Sequence, residues 1–157
     1  MEYWFSAHET AELAADVEEK GSAFYRRLAA EVEDATVRNM CEFLAGQEDE
    51  HRQAFRAIAG HFRGQTVEFL YSVDIRAMLR ASLTEILALF SNHGDRLLDG
   101  GGVVGCLNLA HRIEETSVAV YGHMRRTYTE RFAAVLARIV AEEKKHLRMV
   151  KDVLAKV

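Results

Sequence analysis

The feature that most narrows what this chain can fold into is a pattern written twice. Glu48-Asp49-Glu50-His51 recurs as Glu143-Lys144-Lys145-His146. Upstream of the first copy stands Glu18, followed by Gly21 and Tyr25; upstream of the second stands Glu114, followed by Ser117 and Tyr121 at the same spacings. The offsets between copies are 96 (18 to 114), 96 (25 to 121), 95 (48 to 143) and 95 (51 to 146). Residues three apart on a helix share a face, so each quartet presents a carboxylate beside an imidazole. The repeat therefore predicts two helical hairpins of one design, joined end to end.

Composition supports long helices. The 157 residues contain no proline, are 49% hydrophobic and are rich in Ala, Leu, Glu and Arg, so nothing interrupts a helix from within. One domain over residues 1–157 is expected, large enough to bury a core. Ser6-x-x-Glu9 reads as a capping box that opens a first helix running to about Val32. Tyr3-Trp4-Phe5 before it is expected to pack against the bundle or a second subunit. The short link through Asp34 forces an antiparallel second helix, about 35 to 62. From Gln65 to Gly102 the pattern weakens; Ile86-Leu87-Ala88-Leu89-Phe90 suggests one or two minor helices, with a loop near Ser91-Asn92-His93-Gly94. Gly100-Gly101-Gly102 precedes a third long helix, about 103 to 127, and a turn at Tyr128-Thr129 leads to a fourth, about 130 to 156. The expected fold is an all-α four-helix bundle of two hairpins with one long crossover, about 65 to 102, which lets helices two and three run parallel.

Charge and cysteine usage exclude several classes. A net charge of −4 with no Lys/Arg block gives no nucleic-acid patch. No apolar run reaches the roughly 18 residues of a membrane span, and no signal-peptide layout opens the chain. Cys41 and Cys106 form no CxxC and read as small buried hydrophobes, which fits a reducing cytoplasm.

Each glutamate of the repeat has an acidic neighbour, so the helical faces must be told apart. Glu18 shares its stripe with Ala11, Ala14, Ala15, Gly21, Ser22 and Tyr25, whereas Glu19 shares one with Glu12, Asp16 and Arg26. Glu114 lies among Leu107, Ala110, Val118 and Tyr121; Glu115 has Arg112 beside it. Glu143 lies among Leu136, Ile139, Val140, Leu147 and Val150, while Glu142 has Arg138 and Lys145. Glu48 lies among Cys41, Leu44, Ala45 and Phe55. Four carboxylates and two imidazoles thus fall on inner faces. Buried carboxylates facing one another cost several kcal/mol or take up protons. Two divalent cations balance four carboxylates by charge count.

Two helices each supplying a Glu and two each supplying Glu-x-x-His resemble the ligand set of ferritin-like di-iron carboxylate proteins. Glu18-x-x-Gly-x-x-Phe-Tyr25 and Glu114-x-x-Ser-x-x-Val-Tyr121 are most similar to the rubrerythrin branch, over residues 10–60 and 104–152. The resemblance implies Glu18 and Glu114 as terminal ligands, Glu48 and Glu143 as bridges, and His51 and His146 as one ligand to each metal. It implies that Tyr25 and Tyr121 hydrogen-bond to the terminal glutamates across the bundle. It also implies two iron ions, with zinc or manganese as substitutes, and a homodimer. Rubrerythrins proper carry a further Glu three residues after the third-helix ligand, where this chain has Ser117, and a four-cysteine iron segment that these residues do not contain.

The expected function is a di-iron oxidoreductase that reduces hydrogen peroxide or dioxygen with electrons from an unidentified donor. Its rivals are an iron-handling or ferroxidase-type protein without peroxidase activity, and a helical interaction module. His111, one turn before Glu114, is weighed as a partner to the site or an exposed residue. His8, His61, His93 and His123 read as surface or helix-end residues, and Met40, Met78, Met124 and Met149 as core.

Overall fold

The computed structural model describes residues 2–66, 68–72, 81 and 97–157. Helix α1 spans Ala7–Glu31 and α2 spans Ala35–Phe62; α3 spans Gly102–Thr127 and α4 spans Glu130–Leu154. These four helices form the bundle, and α1 packs on α2 as α3 packs on α4.

Local chemistry explains the helix ends. The Ser6 hydroxyl accepts from the Glu9 amide at 3.0 Å, and the Ser6 amide donates to the Glu9 carboxylate at 3.3 Å. This reciprocal pair satisfies two amides that no helical carbonyl can reach. Val32 turns extended after α1, and Asp34 caps α2 by accepting from Thr36 and Val37 at 2.8 and 3.0 Å. The second hairpin opens on Gly101 and Gly102, whose φ of +127° and +66° lie where only glycine rests without strain. At its turn the Tyr128 hydroxyl donates to the Ala7 carbonyl at 2.7 Å, tying the second hairpin to the start of the first.

Helix directions follow from the contacts across the bundle. Glu18 and Tyr25 of α1 meet Tyr121 and Glu114 of α3 in reversed order, so α1 and α3 are antiparallel. Since α2 is antiparallel to α1, α2 and α3 run the same way, as a single long crossover requires.

One part of the weak middle stretch differs from expectation. Glu68–Ser72 is a strand, β2, paired antiparallel with β1, Glu2–Ser6, in the register Tyr3↔Tyr71, Trp4↔Leu70 and Phe5↔Phe69. Aromatic residues favour a pleated ribbon over a helix. The N-terminal aromatics therefore belong to a two-stranded ribbon. A 3-10 turn at Leu97–Gly100 precedes α3, and Leu97 is fully buried. The minor helices and loop expected over 86–94 lie outside the described residues, as do Met78 and His93.

The core has two apolar ends with a polar layer between them. Phe24, Leu28, Met40, Leu44, Leu107 and Val150 form one end. Ala11, Phe55, Phe62, Met124, Leu136 and Ile139 form the other. Cys41 and Cys106 are buried free thiols in the first end, and burial pushes the Cys41 thiol up to about 12. Met149 packs there as a partly buried side chain.

Candidate metal centre

The polar layer consists of the residues the repeat singled out. Glu18, Glu48, His51, Glu114, Glu143 and His146 are each no more than 4% exposed. Their outward neighbours have cations: Glu19 lies 3.5 Å from Arg56, and Asp49 pairs with Arg26 and with Arg52 at 3.4 Å. Among the described residues, no Lys or Arg pairs with the four inward carboxylates. Helical geometry does this sorting, because each inward acid lies on its helix's apolar stripe and its neighbour is rotated off it.

Glu48, His51, Glu143 and His146 can bring one donor atom each within 4.8 Å of all the others. His51 Nδ1 lies 2.7 Å from Glu143 Oε1, 3.5 Å from Glu48 Oε2 and 3.9 Å from Glu18 Oε2. His146 Nδ1 lies 3.5 Å from Glu143 Oε2, 3.6 Å from Glu114 Oε2 and 3.8 Å from Glu48 Oε1. The two imidazole rings stand nearly parallel, 5.5 Å apart. Glu18 and Glu114 flank the group of four, one beside each histidine.

The tyrosines hold the flanking carboxylates. Tyr25 Oη donates to Glu114 Oε1, and Tyr121 Oη donates to Glu18 Oε1. The bonds cross between hairpins, and each leaves the second carboxylate oxygen toward the centre. Burial, and then the facing glutamate, push both phenols well above their usual range.

The inner atoms lack ordinary partners. Glu48 Oε2, His51 Nδ1, Glu114 Oε2, Glu143 Oε1 and His146 Nδ1 are buried without a hydrogen bond. His51 Nδ1 and Glu143 Oε1 lie 2.7 Å apart and neither has another partner. Buried polar atoms in this condition are rare and costly. Five of them converging on one volume suit a cation that accepts lone pairs from every side. Oxygen and imidazole donors without thiolate suit first-row divalent metals. The residues therefore fit metal ions, and the buried Glu/His cluster resembles a di-iron site.

Electrostatics point the same way. Burial, followed by the Glu48 charge, holds Glu18 well above the usual carboxylate range. Burial and the neighbouring glutamates do the same to Glu48 and Glu143. Glu114 is also penalised by burial, but His146, Glu143 and Tyr25 outweigh this and hold it low. Burial alone would depress His51; the carboxylates of Glu143, Glu18 and Glu142 outweigh it and raise His51 to about 9. Without metal, the cluster must hold protons to stay buried.

Sequence reasoning missed one contact. Glu142, assigned to a solvated face, accepts from His51 Nε2 at 2.9 Å. The Cα of Glu142 is one step off the inner stripe of α4, and its side chain reaches sideways across the seam to α2. Among the other histidines, His111 is half-buried. His8 Nδ1 meets the Ala59 carbonyl at 2.8 Å, and the His61 ring packs on Phe62 and Phe132. Among the described residues, no helix is long and apolar enough to cross a membrane.

Comparison with protein-family models, with curated proteins and with solved structures finds no match to this chain.

Proposed function

We propose that this chain is a rubrerythrin-type di-iron protein that reduces hydrogen peroxide or dioxygen at a dinuclear centre. The observation that carries the reading is the set of unpartnered inward oxygens and nitrogens, drawn from three helices with Glu18 of the fourth beside them, and no Lys or Arg among the described residues to neutralise them. Glu18 and Glu114 would be terminal ligands, Glu48 and Glu143 bridging ligands, and His51 and His146 one ligand to each ion. When bound, a pair of ferrous ions supplies the two electrons that convert one peroxide and two protons to two waters.

The chain's own groups set the conditions for that chemistry. Tyr121 and Tyr25 fix one oxygen of Glu18 and of Glu114, which favours ligation through the other oxygen alone. Burial on every side keeps bulk water from the carboxylates and strengthens each charge interaction among them. His51 gives up a proton on loading, because an imidazolium nitrogen has no lone pair to offer.

A second reading is iron handling with ferroxidase chemistry and no peroxidase turnover. Ser117 favours it, since it stands buried where rubrerythrins proper carry a further carboxylate. Anaerobic loading with ferrous iron, metal analysis, and stopped-flow mixing with H₂O₂ and with O₂ separate the readings. The proposal expects two irons per chain and ferric absorbance that forms fast with peroxide and returns after reduction. Absorbance with O₂ alone, without recycling, leaves iron handling; no stoichiometric metal leaves neither. The same proposal takes the protein to be a homodimer, which light scattering tests.

A further inference from the structure

The duplicated design supplies its own control. Every element of the centre has a counterpart one repeat away: Glu18 with Glu114, Tyr25 with Tyr121, Glu48 with Glu143, His51 with His146. The crossed tyrosine bonds obey the same two-fold relation. The residue just before the bridging glutamate breaks it. That residue is Glu142 in the second copy and Gln47 in the first.

The consequence is visible at the two imidazoles. His51 Nε2 meets the Glu142 carboxylate at 2.9 Å, whereas His146 Nε2 is buried without a hydrogen-bond partner. A carboxylate can only accept, so Glu142 holds the proton of His51 on Nε2. It thereby turns the Nδ1 lone pair toward the centre. It also fixes the ring and makes that lone pair more basic, an effect worth about 10–100-fold in metal affinity. His146 has neither the anchor nor the charge. The Phe43 ring lies beside its ring instead, nearly perpendicular to it, with ring centroids 6.4 Å apart.

We infer that Glu142 is a positioning residue for His51, and that it makes the two metal positions unequal, the His51 side binding a divalent cation before the His146 side. The inference rests on the metal-centre reading above. It concerns only which position fills first and why. Glu142 touches neither metal nor oxidant; it acts through the imidazole. Its side chain is 21% exposed, so changing it does not open the core.

The test is a titration of the metal-free protein with Co²⁺, read by calorimetry and by the visible absorption of each bound ion. The unmodified chain is expected to bind two equivalents in two steps at least tenfold apart. His146→Ala should keep the tight step and His51→Ala should lose it. Glu142→Ala should weaken the tight step about 10–100-fold and merge the two. Glu142→Gln, which can still accept from Nε2 but lacks the charge, should fall between. Gln47→Glu should tighten the second step toward the first. A purely structural role for Glu142 would lower the melting temperature without moving the ratio of the two constants, and that result overturns the inference. So does binding of two equivalents with indistinguishable constants, or an equal loss at both steps in Glu142→Ala. No cobalt binding at all overturns the metal-centre reading itself, and is readily told from the other outcomes.

Discussion

Glu48→Gln separates what the centre does for function from what it does for stability. Glu48 is 4% exposed, has an unpartnered inner oxygen, and faces Glu143 and Glu114. Gln keeps the shape and removes the charge. Glu143 and Glu114 repel its charge. Two like charges about 4 Å apart repel by about 1 kcal/mol at the dielectric of water and about 4 kcal/mol at an effective dielectric of about 20, so removing one should stabilise the metal-free fold by about 1–4 kcal/mol. With an unfolding entropy of roughly 2.1 cal/mol/K per residue, the 157 residues give about 0.33 kcal/mol/K. Each kcal/mol then moves Tm by about 3 °C, and the chelated variant should melt about 3–12 °C above the chelated parent near pH 8. Metal reverses the order. A ligand at 100 times its Kd stabilises the folded state by about 2.7 kcal/mol per site, or about 8 °C, and the variant should lose most of this gain. The assay is circular dichroism melting with EDTA and with excess Co²⁺. Glu19→Gln, about half exposed beside Arg52 and Arg56, is the control and should stay within about 0.5 kcal/mol. If Glu48→Gln melts lower than the parent in EDTA, or still gains the full metal increment, the inward carboxylates do not repel one another around a shared site.

Three further outcomes follow from the same geometry. In the metal-free protein Glu18, Glu48 and Glu143 are raised above the ordinary carboxylate value and His51 is raised to about 9. The folded state therefore binds more protons than the unfolded chain. Its stability should fall as pH rises, for the glutamates from about pH 4.3 upward and for His51 between about 6.5 and 9. Glu114 is shifted the other way, and its contribution disappears only on the acid side of that window; a flat or rising Tm in EDTA from about pH 5 to 9 would falsify the charge assignment. Tyr25→Phe should weaken metal binding about 10–100-fold by freeing Glu114, and Tyr121→Phe should do the same through Glu18; unchanged Co²⁺ titrations would show that the phenols hold nothing the metal needs. Gly21→Ala should raise Tm in EDTA by about 3 °C, because a helix-interior glycine costs about 0.8–1.0 kcal/mol relative to alanine. The added Cβ would meet the Glu48 side chain at an ordinary 3.6 Å, and a fall in Tm would mean that Glu48 needs that space.

What could be read from the chain alone was periodic. Helix faces are set by residue spacing, so spacing alone separates Glu18 from Glu19 and Glu143 from Glu142. Breaks and caps are chemical signals of a few residues: the Ser6 capping box, the short link through Asp34 and the glycine run mark the starts of α1, α2 and α3 closely. The duplication tied these pieces into two hairpins, because one design repeated at a constant offset demands one geometry repeated.

Only the tertiary structure decided what depends on distance between helices. The β1–β2 pairing joins residues some 66 positions apart at its middle (4 to 70), and neither segment alternates clearly enough to announce a strand by itself. The Glu142–His51 bond is the sharper case. A face test treats each helix as an isolated cylinder with an inside and an outside, and Glu142 falls outside on α4. Packing α2 against α4 brings His51 Nε2 within 2.9 Å of it, so a residue that is polar surface on one helix becomes the partner of a buried group on the next. Periodicity selects the direction a side chain leaves its own helix; what it meets there is set by the neighbour.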